Sequence, residues 1–512
     1  MPVEVTVGID IGTTSVKALA VDGNGEVVGR ARVPHGLLVP APDLMEHDAL
    51  SAWRRGPKSA MAAALRDATA RLPASAQVAG VCTAAMVPSM TAVDARGIPR
   101  TPGLLYGDAR SAAGGATQPG SSEEVSGFLR WTAEESPQAR GYWPAQAVAN
   151  YALGARGVID TATAFTYFPL HSGLAWDEEL LSVLGAVPEQ MPEVAPLGEA
   201  VSKVDGAALA SGSIDALGEQ MVAGASNDGD VLVICGSTLV VWLVVPEWIE
   251  VPGLWTVPHT VAGKTLIGGA SNAGGLFLQW ISGLLGFASL ERAIGRLLPP
   301  GEPGGAVGED ASHKALASVP QSVRARPRRA TSHAIDRSNL PVWSPYPRGE
   351  RTPLQDPARR AAIAGLDLTH GPAAVLRAAL EATGFVVRHH LDLAVAALAD
   401  VPGAKPRRIV ATGGGSRSGA WMQALADTTG LPVEAAAVPE GAALGAAFIA
   451  RMAAGLESSL DASAGWATTG SHTYPSSAWI GTCTERYLRF RELADGAGAS
   501  QLSADERSEI AP

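Results

Sequence analysis

The chain has 512 residues, which exceeds the size of a typical single hydrophobic core and predicts at least two domains. Hydrophobic residues make up 46% of it and charged residues 17%, a balance that is typical of a folded protein and excludes a disordered one. The formal net charge of −11 argues against a nucleic-acid-binding protein.

The N-terminal segment predicts a strand, a glycine turn and a second strand. Apolar residues alternate up to Asp10, and hydrophobic residues resume over 16–21. The turn contains Gly12, Thr13 and Thr14, whose backbone N–H groups and hydroxyls can hold phosphate oxygens. Asp10 can hold Mg²⁺ through water. An ordinary hairpin with an exposed aspartate is the alternative.

The longest apolar run, residues 231–245, is shorter than a comfortable membrane span. No basic stretch leads into an apolar core at the start of the chain, so we expect no signal peptide, no membrane association and a cytoplasmic location. Gly236, Ser237 and Thr238 interrupt the run, which therefore predicts two buried strands around a turn. This copy of the opening pattern indicates a duplicated α/β architecture with one phosphate loop in each half.

Two further loops carry candidate side chains. Residues 78–93 predict two strands joined by a loop, and residues 103–110 predict a second loop with charged groups. The candidates in these loops are Met86, Val87, Pro88, Asp108 and Arg110.

A single carboxylate, Asp215, follows small residues and precedes a predicted helix that ends near Gly224. An aspartate at this position commonly caps a helix, which is the structural alternative. Because Asp215 lies between the two phosphate loops in sequence, it would face the cleft of a fold built from two facing halves.

The C-terminal part predicts a second glycine loop. Residues 299–341 are rich in Pro and Gly, and their basic run at 324–329 is typical of a solvated loop. Residues 407–412 predict a strand that runs directly into three glycines, where a nucleotide can approach the backbone closely. The residues of this loop are Gly413, Gly414, Gly415 and Ser416.

Taken in order, these motifs resemble those of the FGGY carbohydrate kinases, within the actin-like ATPase superfamily. The matching segments are residues 8–17, 107–110, 213–216, 235–238, 345–353, 411–416 and 439–447. The resemblance implies a two-lobed, ribonuclease H-like α/β fold with duplicated domains around a central cleft. The expected ranges are an N-terminal domain at 1–245, a C-terminal domain at 246–456, and a C-terminal helix and tail at 457–512.

The same resemblance implies ATP and Mg²⁺ as cofactors and a role for each candidate. Asp215 matches the catalytic base, and Asp10 helps to place Mg–ATP. The expected phosphate contacts are Gly12, Thr13, Thr14, Lys17, Gly236, Ser237 and Thr238, with Gly413, Gly414, Gly415 and Ser416 beside the adenosine. The expected sugar contacts are Met86, Val87, Pro88, Asp108, Arg110 and Asp215. Arg348, Glu350 and Arg351 match a family loop near the cleft, although a structural ion pair explains them equally well.

The expected partner is a small sugar or polyol, and a homodimer stays open. A xylulose-like pentulose ranks first because the C-terminal half most resembles that branch. However, the loop at 86–89 lacks the histidine that xylulose-specific members carry, and Tyr106-Gly107 replaces their Trp-Asn. Ribulose, fuculose, erythritol and glycerol therefore remain alternatives. A chaperone ATPase and a non-catalytic sugar sensor are alternatives of other classes, and the sensor would lose Asp10 or Asp215.

Overall fold

The computed structural model describes residues 4–73, 76–114, 122–173, 175–298, 335–399 and 401–499. The predicted basic loop at 324–329 lies outside the described residues. Within those ranges, every helix is too short or too polar to cross a lipid bilayer.

Strands and helices alternate along the described chain. The strands are β1 (Glu4–Ile11), β2 (Ser15–Val21), β3 (Val27–Pro34), β4 (Glu46–His47), β5 (Gln77–Ala85), β6 (Ser89–Val93), β7 (Gly103–Leu105), β8 (Gly141–Trp143), β9 (Val158–Asp160), β10 (Glu193–Ala195), β11 (Ala200–Val204), β12 (Ala207–Ala210), β13 (Ser213–Ile214), β14 (Asp230–Cys235), β15 (Leu239–Val245), β16 (Trp255–Pro258), β17 (Thr265–Ser271), β18 (Val342–Ser344), β19 (Ala362–Ala364), β20 (Arg408–Thr412), β21 (Val433–Ala436) and β22 (Thr469–Thr473). The helices are α1 (Gly56–Ala68), α2 (Ser122–Glu135), α3 (Ala145–Leu153), α4 (Thr161–Phe165), α5 (Glu178–Val183), α6 (Asp215–Ala223), α7 (Gly275–Leu284), α8 (Leu290–Leu297), α9 (Pro372–Ala397), α10 (Gly419–Thr429), α11 (Gly441–Ala453) and α12 (Ile480–Ala499).

Two seven-stranded sheets repeat one plan. The first has the order β11-β12-β5-β1-β2-β3, with β13 paired to β5, and the second has the order β16-β17-β15-β14-β20-β21-β22. In each, an antiparallel hairpin, β1–β2 or β14–β15, is joined on its other side by a parallel strand, β5 or β20. The predicted duplication and the mixed α/β class are confirmed.

Strand pairing bears on the expected domain ranges. The strands β14 and β15, which the range 1–245 assigned to the first domain, pair within the second sheet. Along the chain, β14 and β15 are the first strands of the second sheet, as β1 and β2 are the first strands of the first sheet. We therefore propose a boundary just before Asp230 in place of residue 245. The tail from 457 contributes β22 to the second sheet and packs α12 against α9.

Helix α6 lies between the two sheets. Its Met221 and Val222 belong to a buried cluster with residues of the first sheet, such as Leu19. Its Ala216 and Ala223 pack against a separate cluster of residues from the second sheet. Since Asp215 begins this helix, the packing of α6 fixes the carboxylate at the junction of the two lobes.

Helix α11 packs on the first sheet, although it follows the strands of the second along the chain. Gly8 on β1 allows this approach, because a Cβ there would lie 1.8 Å from Ala443 O and 2.4 Å from Ala447 N. Gly445 of α11 packs directly against α6, since a Cβ at this position would lie 2.4 Å from Gly218 Cα. This close packing joins α11 to the helix that begins at Asp215.

A Gly8→Ala variant should lose about 1–3 kcal/mol of unfolding free energy, because its methyl group would push α11 away from β1. Chemical denaturation followed by circular dichroism measures the loss. The control is Gly283→Ala on α7, where nothing lies within 4 Å of the added Cβ. Because alanine favours a helix, the control should be neutral or more stable. Equal stabilities for both variants would contradict the packing described.

Candidate functional site

The turn between β1 and β2 carries the first group of candidates. Asp10 is 4% exposed, and Lys17 Nζ donates to its Oδ2 at 2.9 Å. Attraction to Asp10 raises the pKa of Lys17, so the ammonium stays charged beside the turn. The hydroxyls differ: Thr13 is buried and its Oγ1 lies 2.6 Å from Tyr106 OH, whereas Thr14 is exposed.

Strand register brings Asp215 to the same sheet edge as Asp10. Strand β5 runs between β1 and β13, and its Ala84 pairs with Asp10 on one side and Ser213 on the other. Asp215 follows two residues after Ser213. Two strand spacings, about 10 Å, separate the backbones of β1 and β13.

The protein environment raises the pKa of the Asp215 carboxyl group above its value in water. Burial, and then the negative charge of Asp10, raise the pKa of Asp215 to about 7. A bond from the Ala216 N–H at 2.7 Å, and the positive charges of Lys17 and Arg351, oppose this change. A carboxylate with this pKa can accept a proton near neutral pH.

The two glycine loops of the second sheet lie side by side. Ile234 on β14 pairs with Thr412 on β20, so both loops leave the same edge. Gly413, at φ 81°, contacts the Cys235 backbone, where a Cβ would come within 2.9 Å. The Ser416 hydroxyl donates to Gly413 O at 2.8 Å, so this hydroxyl closes the turn.

The loop at 236–238 rests on the start of α7. Gly275 N–H donates to Gly236 O at 2.9 Å, and Leu276 N–H donates to Ser237 O at 3.0 Å. Gly236, Ser237 and Thr238 remain partly exposed, and Gly414 is exposed with nothing within 4 Å of the position of a Cβ. These loops therefore leave backbone accessible to a ligand.

The predicted sugar contacts are less accessible. Asp108 accepts bonds from Met45 N–H at 2.5 Å and from three nitrogens of Arg110 at 2.7–2.8 Å. Arg110 also pairs with Glu46 at 2.8 Å. Asp108 and Arg110 thus hold each other, which suits a role in shaping the loop. In the neighbouring loop Met86 is 2% exposed, and Val87 and Pro88 are partly exposed.

Family models decide the identity of the fold. The model of the FGGY family of carbohydrate kinases, N-terminal domain, matches residues 5–116, and the C-terminal domain model of that family matches residues 231–454. The chain belongs to the FGGY carbohydrate kinases. It is therefore an enzyme of phosphoryl transfer to a sugar hydroxyl, with ATP as the donor that this family uses.

Individual relatives agree on the kinase class and differ in their substrates. A gluconokinase from Bacillus subtilis is 25% identical over 494 residues, covering 89% of this chain and 88% of that protein. A xylulose kinase from Escherichia coli is 39% identical over 133 residues, covering 26% of each chain. The crystal structure of a ligand-bound xylulose kinase from Lactobacillus acidophilus superposes with a TM-score of 0.71 at 19% identity, covering 97% of this chain and 99% of that one. This last likeness concerns the fold.

The residues of this FGGY kinase fit a bound nucleotide and cation. The exposed glycine loops of the second sheet can receive phosphates and adenosine. In the described part of the chain, no donor is bonded to Asp10 Oδ1, and no group of three or more His, Cys, Asp or Glu side chains could hold a metal ion. A Mg²⁺ ion here would therefore keep water and phosphate oxygens as its other ligands, as this cation prefers.

Two supporting residues of the kinase escaped the sequence analysis. The Nε2 atom of buried His47 lies 2.8 Å from Thr13 O, and Trp53 Nε1–H donates to His47 Nδ1. His47 therefore supports the backbone of the β1–β2 turn. Burial raises the pKa of Glu219 to about 7, and Thr412 Oγ1–H donates to its Oε2 at 2.5 Å. Glu219 thereby ties the helix of Asp215 to the second sheet. No local pattern marks either residue, since Thr13 lies 34 positions from His47 and Thr412 lies 193 positions from Glu219.

Proposed function

We propose that this FGGY kinase transfers the terminal phosphoryl group of Mg–ATP to a hydroxyl of a small sugar, with Asp215 as the general base. The observation that supports it most is the strand register, in which Asp215 follows β13 at the edge where Asp10 lies one residue before the end of β1. The glycine loops of the second sheet lie across the junction, tied to the helix of Asp215 by the Glu219–Thr412 bond.

In this proposal Asp215 accepts the proton of the sugar hydroxyl. As the proton leaves, the hydroxyl oxygen bonds to the terminal phosphorus of ATP, and the bond between that phosphorus and the ADP oxygen breaks. Phosphoryl transfer depends mostly on positioning and on neutralising charge. Lys17 and the N–H groups of Thr13 and Thr14 supply donors to the moving group, whereas the Gly12 N–H donates to Ser15 O at 3.1 Å and closes the turn. A Mg²⁺ ion near Asp10 would add positive charge to the phosphates.

The second sheet would hold the rest of the nucleotide. We assign the inner phosphates to the loop at 236–238 and the adenosine side to the loop at 413–416, because both lie at one sheet edge and expose backbone. Ser416 acts through the turn that its hydroxyl closes. The homodimer and the cytoplasmic location remain proposals.

The sugar is the open part of this proposal. A xylulose-like pentulose is one option that the relatives support, since xylulose kinases are among them. A relative that matches 89% of the chain is named a gluconokinase, so sugar acids belong in any screen. Ribulose, fuculose, erythritol and glycerol complete the candidates.

ADP formation across a panel of these compounds tests the proposed function. The account predicts turnover that depends on one sugar or a narrow group of sugars. ATP hydrolysis that is indifferent to every sugar would favour a chaperone ATPase instead. Sugar binding by calorimetry without any turnover would favour a sensor, and either result would overturn the proposal.

A further inference from the structure

One arginine of the second lobe reaches into the first. Arg348 lies on the loop after β18, and its Nη1 lies 3.0 Å from Met45 Sδ. Its guanidinium carbon lies 5.8 Å from the centroid of the Tyr106 ring. Gly107 makes room for it, since a Cβ there would come within 2.6 Å of Arg348 Nη1. Arg348 therefore packs at the junction between the lobes.

A second arginine approaches the same ring. Arg351 is 5% exposed, and its guanidinium carbon lies 5.3 Å from the Tyr106 centroid. The Nε and Nη2 atoms of both Arg348 and Arg351 are shielded from solvent and have no hydrogen-bond partner among the described residues. Four guanidinium nitrogens therefore lack acceptors within one small region.

Nearby carboxylates do not supply the missing bonds. Glu350, between the two arginines in sequence, is fully buried and accepts from Ser271 Oγ and from the N–H groups of Asn272 and Arg351. Glu124 accepts the Gly107 N–H at 2.5 Å. Charged donors buried without acceptors are costly, so this arrangement is stabilised when an anion reaches them.

The chemistry of the pair indicates which anion fits. Guanidinium groups present planar, paired N–H donors that match carboxylate and phosphate oxygens. Burial lowers the pKa of Arg348 to about 10, so this group stays charged at neutral pH. Tyr106 and Gly107 belong to the loop of the predicted sugar contacts, and Tyr106 OH lies 2.6 Å from Thr13 Oγ1 in the β1–β2 turn, where the terminal phosphate is expected. The loops assigned to the inner phosphates and the adenosine follow β14 and β20.

We propose that Arg348 and Arg351 form an anion subsite for a carboxylate on the sugar, so that the preferred substrate is a sugar acid rather than a neutral pentulose. This inference rests on the proposed function and names its substrate class. A nucleotide phosphate is the other anion that could reach these groups, and the test separates the two sources.

The test compares acids with alcohols of the same carbon skeleton. D-Gluconate and D-xylonate are measured beside D-glucitol, xylitol and D-xylulose by ADP formation. An acid should be used with a kcat/KM at least tenfold above that of its alcohol and of D-xylulose. Preference for a neutral sugar would overturn the inference and leave the kinase function intact. Absence of turnover with every compound, acidic or neutral, would instead count against both.

Variants locate the carboxylate contact. Arg348→Met should raise the KM for the acid by about 10–100-fold, the value of a charge-assisted hydrogen bond, and leave the KM for ATP within twofold. Arg348→Lys should recover part of the loss, which separates charge from folding. The control Arg360→Met removes an arginine from the same region that already pairs with Asp43 at 2.5 Å, and both KM values should stay unchanged. A rise in the KM for ATP instead would assign the subsite to the nucleotide and overturn the inference.

Discussion

Replacing Asp215 with asparagine should lower kcat by about 10²–10⁴-fold, the usual contribution of a general base. The amide keeps the size of the side chain but cannot accept the hydroxyl proton. Sugar-dependent ADP formation under saturating substrates measures the effect. The control is Asp177→Asn, which changes another aspartate at a helix start, where the side chain caps α5. Asparagine also caps helices, so this control should keep full activity.

The pH dependence gives Asp215 a signature of its own. With its pKa raised to about 7, the wild-type kcat/KM should fall about tenfold per pH unit below pH 7, as the base becomes protonated. The asparagine variant should lack this limb. A wild-type profile that is flat between pH 5 and pH 8, or a variant that retains the same limb, would remove Asp215 from the role of base.

The pH dependence of folding stability should run opposite to that of activity. Because the folded state raises the pKa of Asp215 above its ordinary value, the stability associated with its protonated form is lost as pH rises through 7. The melting temperature of Asp215→Asn should therefore exceed that of the wild type at pH 8. The gap should shrink as the pH falls from 7 towards 4. Thermal unfolding monitored at several pH values tests this order.

The second large effect is expected at a buried charge network in the second lobe. Glu381 on α9 is 1% exposed and bonds Arg377 at 3.1 Å and Arg486 of α12 at 2.6 Å. Asp427 joins Arg377 at 3.1 Å and Arg337 at 2.6 Å. A Glu381→Ala variant should lose about 3–5 kcal/mol of unfolding free energy, because it leaves buried Arg486 without its carboxylate partner and takes from Arg377 one of its two.

Denaturant unfolding measures this loss, and proteolysis should cleave the C-terminal helix of the variant first. The matched control is Arg156→Ala, which breaks the exposed pair of Arg156 with Glu193 and should lose less than about 1 kcal/mol. A Glu381→Ala variant as stable as this control would show that the network does not hold α12 in place.

Local signals explain what could be read from the sequence. The start and the end of α10 follow local signals, since Ser418 Oγ accepts the Trp421 N–H and Gly430 adopts φ 73° after the helix. The predicted strand–glycine–strand units are confirmed as β1–β2 and β14–β15. Each of these depends on residues a few positions apart, where periodicity and turn chemistry act.

Long-range contacts explain what could not be read. The Glu219–Thr412 bond joins residues 193 positions apart, and the Arg348–Met45 contact spans 303. No sequence pattern near these residues predicts their partners. Asp108 and Arg110 show the converse, because their motif predicted sugar contacts while the fold pairs them with each other. Their contact with sugar stays a prediction.

A crystal structure of the Asp215→Asn variant with a non-hydrolysable ATP analogue, Mg²⁺ and the sugar used by the wild type tests the central claim most directly. The account predicts one sugar hydroxyl within about 3 Å of the side chain at position 215, with the terminal phosphate beside the β1–β2 turn. A sugar whose hydroxyls all lie beyond hydrogen-bond reach of that side chain, or a phosphate seated elsewhere, would contradict it.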